Sequence, residues 1–140
     1  MKKNYSIPAE LLAIIPKFQL LVTMEALNEH IEALKRLESQ LKKCPKIGET
    51  DGKIEHPAIF HYFCGSSDFY ICEYNPEDDR MFGYSILCGD LPNSEWCYFS
   101  AQDISISRYI NIDYHFQEQS IEAALYTTYP NYFKKPQSLM

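Results

Sequence analysis

Between His56 and Ser100 the chain alternates strand-like runs with turn clusters, and this rhythm limits what it can fold into. The runs are Ala58–Phe63, Asp68–Tyr74, Met81–Leu87 and Glu95–Phe99. Between them lie Gly65-Ser66-Ser67, Asn75-Pro76-Glu77-Asp78-Asp79 and Gly89-Asp90-Leu91-Pro92-Asn93-Ser94. Short aromatic runs divided by such turns predict an antiparallel sheet built from hairpins. In the second run Asp68, Tyr70, Cys72 and Tyr74 alternate with Phe69, Ile71 and Glu73. In the third, Phe82, Tyr84 and Ile86 alternate with Met81, Gly83, Ser85 and Leu87. Neither alternation leaves a purely polar face, so both faces of the sheet are expected to be partly covered. The 11 Tyr, 8 Phe and single Trp make its outer face partly aromatic.

Helical signals flank this region. Ser6-Ile7-Pro8 opens a short helix from Ala9 to about Ile15, since proline is tolerated in a first helical turn, and Pro16 ends it. Glu10 and Pro16 interrupt the apolar run and no small-residue cleavage site follows, so the segment reads as a helix rather than a signal peptide. Leu20, Met24, Leu27, Ile31, Leu34, Leu37 and Leu41 then trace one stripe, predicting a single helix over about residues 20–43. The stripe has two readings: a cover for the sheet, or the seam of a homodimer. Ser100 with Asp103 approximates a capping box for a short helical turn through Ile106. Ile110–Phe116 reads as a fifth strand and Ser120–Tyr126 as a short helix. The expected fold is therefore α+β: an antiparallel sheet of four to five strands with one long N-terminal helix and short helices. Residues 1–140 form one domain in this reading, with a helical part (1–47), a sheet core (56–126) and a surface tail (127–140). The tail would be anchored by Tyr129, Tyr132 or Phe133.

No run approaches the roughly 18 apolar residues of a membrane span. Cys44, Cys64, Cys72, Cys88 and Cys97 are odd in number and include no CxxC, which suits free thiols in a reducing cytoplasm. Charge is unevenly spread. Residues 1–47 carry eight bases and five acids, while residues 66–100 carry seven acids and one base, Arg80. That second net of −6 equals the formal charge of the whole chain. It opposes binding to a phosphate backbone and favours a basic partner.

The order of several weak motifs resembles the domain of unknown function 2958 family. These are an aromatic strand, Gly65-Ser66-Ser67-Asp68, an aromatic strand with Glu73, the acidic turn and Phe82-Gly83-Tyr84. Asn93-Ser94-Glu95-Trp96-Cys97-Tyr98-Phe99-Ser100 and Tyr114-His115-Phe116 complete the series. The resemblance covers about residues 54–126. Trp96-Cys97 stands where that family usually has Leu-Gly or Trp-Gly, and the helix at 20–43 looks like an insertion. Such proteins are carried by plasmids, phages and other mobile elements, and the family offers no activity to transfer.

No Walker loop, GxGxxG, GxSxG or HExxH is present. No cofactor, metal ligand set or catalytic residue is assigned. Two classes of function remain open. In the first, an accessory protein binds a host protein, such as a nucleic-acid-binding defence enzyme, through an acidic aromatic sheet. Its contact residues would be Asp68, Tyr70, Glu73, Tyr74, Glu77, Asp78, Asp79, Asp90 and Glu95, set mainly toward solvent. In the second, a small enzyme or metal-binding protein uses His61 and His115, meeting across the sheet with Asp68 or Asp113.

Overall fold

The computed structural model describes residues 5–140; Lys2 and Lys3, counted above in the basic N-terminal part, lie outside the described residues. The fold is α+β. Among the described residues there are five α-helices, a five-stranded antiparallel sheet and a two-stranded one. The helices are α1 (Ala9–Leu12), α2 (Lys17–Glu25), α3 (Leu27–Lys43), α4 (Ala101–Ile106) and α5 (Ile121–Thr128). The large sheet contains β2 (Phe60–Cys64), β3 (Ser67–Asn75), β4 (Arg80–Ile86), β5 (Glu95–Phe99) and β6 (Asn111–Ile112), in the order β5-β4-β3-β2-β6. The small one pairs β1 (Pro57–Ala58) with β7 (Gln119–Ser120), an element the sequence did not signal.

Both faces of the large sheet are covered, as the imperfect alternation implied. On one face Phe60, Tyr62, Ile71, Met81 and Ile112 pack with Leu11, Leu34, Leu37 and Ile104 from the helices and with Ile14 and Ile15 from the turn after α1. On the other, Tyr70, Cys72 and Ile86 pack against Ile121, Ala124 and Leu125 of α5. Of the three proposed anchors of the tail, Tyr129 and Phe133 join this second cluster, whereas Tyr132 is exposed. Ser100 and Ser120 cap α4 and α5 by accepting from the N–H groups of Asp103 and Ala123.

The single helix expected over 20–43 is instead two. The chain leaves helical geometry at Ala26 (φ −129°, ψ 46°), and α2 and α3 do different work. The stripe of α3 faces inward through Ile31, Leu34 and Leu37, so it belongs to the core and not to a dimer seam. The turn at Ala26 lets α2 lie along β6, where polar side chains anchor it. Gln19 donates from Nε2 to the Ile112 carbonyl at 2.8 Å and accepts the Ile112 N–H at 2.7 Å. Thr23, also buried, shares a hydrogen bond with the Tyr114 hydroxyl at 2.9 Å. The amide of Gln19 thus occupies the outer edge of β6 as a neighbouring strand would.

A second difference lies inside β3. The register against β4 shifts between Ile71 and Glu73, so that Ile71 opposes Gly83, Glu73 opposes Phe82 and Tyr74 opposes Met81. One extra residue inverts the alternation beyond it. Tyr74 therefore joins Ile71 in the first core cluster rather than sharing a face with Tyr70.

Candidate functional site

Nine residues in this sheet were expected to meet a partner from a solvent-facing surface; the structure separates them. Tyr70, Glu73 and Tyr74 are buried, contrary to that expectation. Tyr70 stacks on His61, with centroids 4.6 Å apart, and burial, with Asp68 adding, pushes its phenol up to about 12. Tyr74 sits in the core, where burial raises its phenol as well. Glu73 is 1% exposed, because the bulge turns it toward the loop that follows α3. Its carboxylate accepts from the Gly48 and Thr50 N–H groups, both at 2.8 Å, and from the Thr50 hydroxyl. A carboxylate with three donors is a satisfied structural clamp.

The remaining acids are spread along the sheet rather than gathered on one face. Asp68 is half-buried against His61. Asp79 takes a left-handed conformation (φ 52°) and accepts from the Ser100 hydroxyl at 2.5 Å and the Gln102 N–H at 3.1 Å. It ties the β3–β4 turn to the start of α4. Glu77 and Asp78 are exposed in that turn. Backbone hydrogen bonding and the Lys46 ammonium, 3.4 Å away, hold the Glu77 carboxyl below its usual value. Asp90 and Glu95 are exposed at the opposite end of the β4–β5 hairpin.

Between these two acidic ends lies an aromatic surface. Trp96 and Tyr98 project from β5 and are 37% and 56% exposed. Phe82 of β4 lies between them, 5.7 Å from Trp96 and 5.0 Å from Tyr98 by ring centroid. Tyr84 meets Trp96 edge-on at 5.2 Å, and the Arg80 guanidinium covers Tyr98 at 4.4 Å. β5 pairs only with β4, so its outer backbone edge is open among the described residues, whereas the far edge of the sheet is closed by Gln19.

The histidine chemistry also differs from expectation. His61 does meet both carboxylates named for it, with Nε2 2.8 Å from Asp68 and Nδ1 3.1 Å from Asp113. Both ring nitrogens therefore lie within hydrogen-bond distance of a carboxylate. His115 is exposed, and its contact with this cluster is a backbone N–H donated to Asp113 at 2.9 Å. Among the described residues no group of three His, Cys, Asp or Glu side chains is arranged to hold a metal ion.

His56, which the sequence did not single out, is held differently. Glu122 accepts its backbone N–H at 2.7 Å and lies 2.8 Å from Nδ1. The ring packs on Trp96 at 4.5 Å, and Nε2 has no hydrogen-bond partner among the described residues. These residues are 66 positions apart, and the helix cap at Ser120 and the β1–β7 pairing bring them together.

All five cysteines are free. Burial pushes the Cys44 and Cys72 thiols up to about 12, which keeps them as unreactive thiols at neutral pH. No helix among the described residues is long and apolar enough to cross a membrane. Compared with known proteins, the chain matches no family model, no curated protein and no solved structure, which leaves membership of the domain of unknown function 2958 family as an expectation.

Proposed function

We propose that this chain is a small binding protein that takes a basic, extended segment of a partner protein along the open β5 edge. The observation that carries this reading is the edge itself: unpaired among the described residues, and flanked by exposed Trp96 and Tyr98. An added strand gains main-chain hydrogen bonds from such an edge and side-chain specificity from neighbouring aromatics. Glu77 and Asp78 at one end, with Asp90 and Glu95 at the other, favour Lys or Arg in the incoming segment. The net charge of −6 makes nucleic acid a poor ligand. The family resemblance supports a host protein as the partner, met in the cytoplasm by an accessory protein of a mobile element. Five free thiols suit that compartment. A nucleic-acid-binding defence enzyme has the basic segments this edge would take.

A photo-crosslinking residue replacing Tyr98 is expected to trap a host polypeptide in lysate, while the same group at exposed Tyr132 traps none. Charge reversal at Glu77, Asp78, Asp90 and Glu95 should weaken capture, and rising salt should weaken capture by the unaltered chain. Asp79 is spared in that variant because it ties the turn to α4. Capture indifferent to salt, to the reversal and to Trp96→Ala would place the binding surface elsewhere.

One observation favours the second reading, a small enzyme or metal-binding protein. The His56 ring, oriented by Glu122, presents Nε2 beside half-exposed Trp96. This moves the candidate residue from His61 and His115 to His56. The binding-protein reading predicts no stoichiometric zinc or manganese by elemental analysis and no saturable zinc site by calorimetry. A one-to-one zinc site abolished by His56→Ala would favour the second reading over the first.

A further inference from the structure

The outer face of α2 has no role in the fold or in the β5 edge. Its inner face is fixed to the sheet by Gln19 and Thr23 and packs Leu20 against the core, so its remaining apolar side chains point away from it. Phe18, Leu21, Val22 and Met24 are 45%, 63%, 67% and 57% exposed. A monomer seldom leaves such a cluster uncovered.

We propose that a second copy of this chain covers it, with two α2 helices packed antiparallel about a two-fold axis at Leu21. The helix is self-complementary about that residue. Lys17, Leu21 and Glu25 follow one another at four-residue intervals along one face. Antiparallel pairing about Leu21 sets Lys17 against Glu25 of the partner subunit, twice over, and sets Phe18 against Met24 of the partner subunit. Leu21 packs on its own symmetry mate. Such a contact is closed and stops at two chains.

Local charge suits this occupant. Although the chain carries −6, Lys17 and Glu25 balance here, and the Arg108 guanidinium lies 5.1 Å over the Phe18 ring at the border of the patch. Two acidic chains therefore meet at a patch whose own charges do not add to their net repulsion. A membrane surface fits less well, because an interfacial helix needs a run of cations beside its apolar face and this helix has one lysine. Nine residues at 1.5 Å rise make the contact about 13 Å long, so the association is weak and visible only at high concentration.

Sedimentation of the full chain from about 1 μM to about 1 mM is expected to shift from 16.4 kDa toward twice that mass. Leu21→Glu should weaken association at least tenfold with an unchanged far-ultraviolet spectrum. Lys17→Glu or Glu25→Lys alone should weaken it about fivefold, and the two together should restore it. A 16.4 kDa species at every concentration overturns the proposal, as does a dimer indifferent to Leu21→Glu. Failure of the double charge swap to recover what each single swap loses overturns the antiparallel arrangement. None of these variants touches the β5 edge, so its crosslinking result is read independently.

Discussion

Replacing Glu73 with alanine is expected to destabilise the protein by about 3–5 kcal/mol, one of the two largest single-residue effects anticipated here. The clamp holds the segment after α3 to the middle of the sheet. Removing it leaves the N–H groups of Gly48 and Thr50 and the Thr50 hydroxyl without their acceptor. Thr50 is itself buried, so water does not readily replace the lost oxygen. Each stranded donor costs about 1–3 kcal/mol, partly offset by no longer burying a charge. At this chain length the loss corresponds to a fall in Tm of about 10–15 °C. Thr50→Val removes one of the three donors and should cost only about 1 kcal/mol. Calorimetry giving equal, small losses for both variants would show that the loop is held by something other than the carboxylate.

Gly83→Ala carries the other large effect, also expected at about 3 kcal/mol or more. A Cβ at this position would stand 1.8 Å from the Tyr70 carbonyl oxygen and 2.9 Å from Ile71 Cα. Both obstacles are backbone, at the start of the bulge in β3, so no side-chain rotation relieves them. The two central strands must part, and with them the pairs that position Tyr70 and Phe82. Urea titration should show a lower midpoint. An unfolding free energy within about 0.5 kcal/mol of the parent's would mean that the strands separate at almost no cost.

What the sequence showed and what it hid follow from the range of each interaction. The four hairpin strands were legible because turn residues and aromatic runs act locally; Glu95–Phe99 agrees to the residue. Ser100 announced its helix because a cap spans three positions, whereas Ser120, read as the first residue of a helix, is its cap. The stripe from Leu20 to Leu41 concealed a break, since neither Pro nor Gly marks Ala26 and the turn serves contacts with Ile112 and Tyr114 far along the chain. The fifth strand shrank from Ile110–Phe116 to Asn111–Ile112: the Asp113 N–H still donates to the His61 carbonyl at 2.8 Å, but the chain then turns, with the Phe116 N–H donating back to the Asp113 carbonyl. Strict alternation misplaced Tyr74 and Glu73, because a bulge has no composition of its own here. His56 with Glu122 was illegible for the opposite reason: each residue is ordinary alone, and only the β1–β7 pairing joins them.

The asymmetry of the sheet bears on how this chain behaves when crowded. A fibril grows through sheets only if every molecule offers a donor edge and an acceptor edge. Here Gln19 seals the β6 side, so among the described residues a molecule added at β5 presents no second open edge of the large sheet to the next one. Strand exchange at β5 therefore terminates after one addition. One locked border makes the opposite border safe to leave exposed, and a short, adhesive strand can persist in solution without seeding its own polymer.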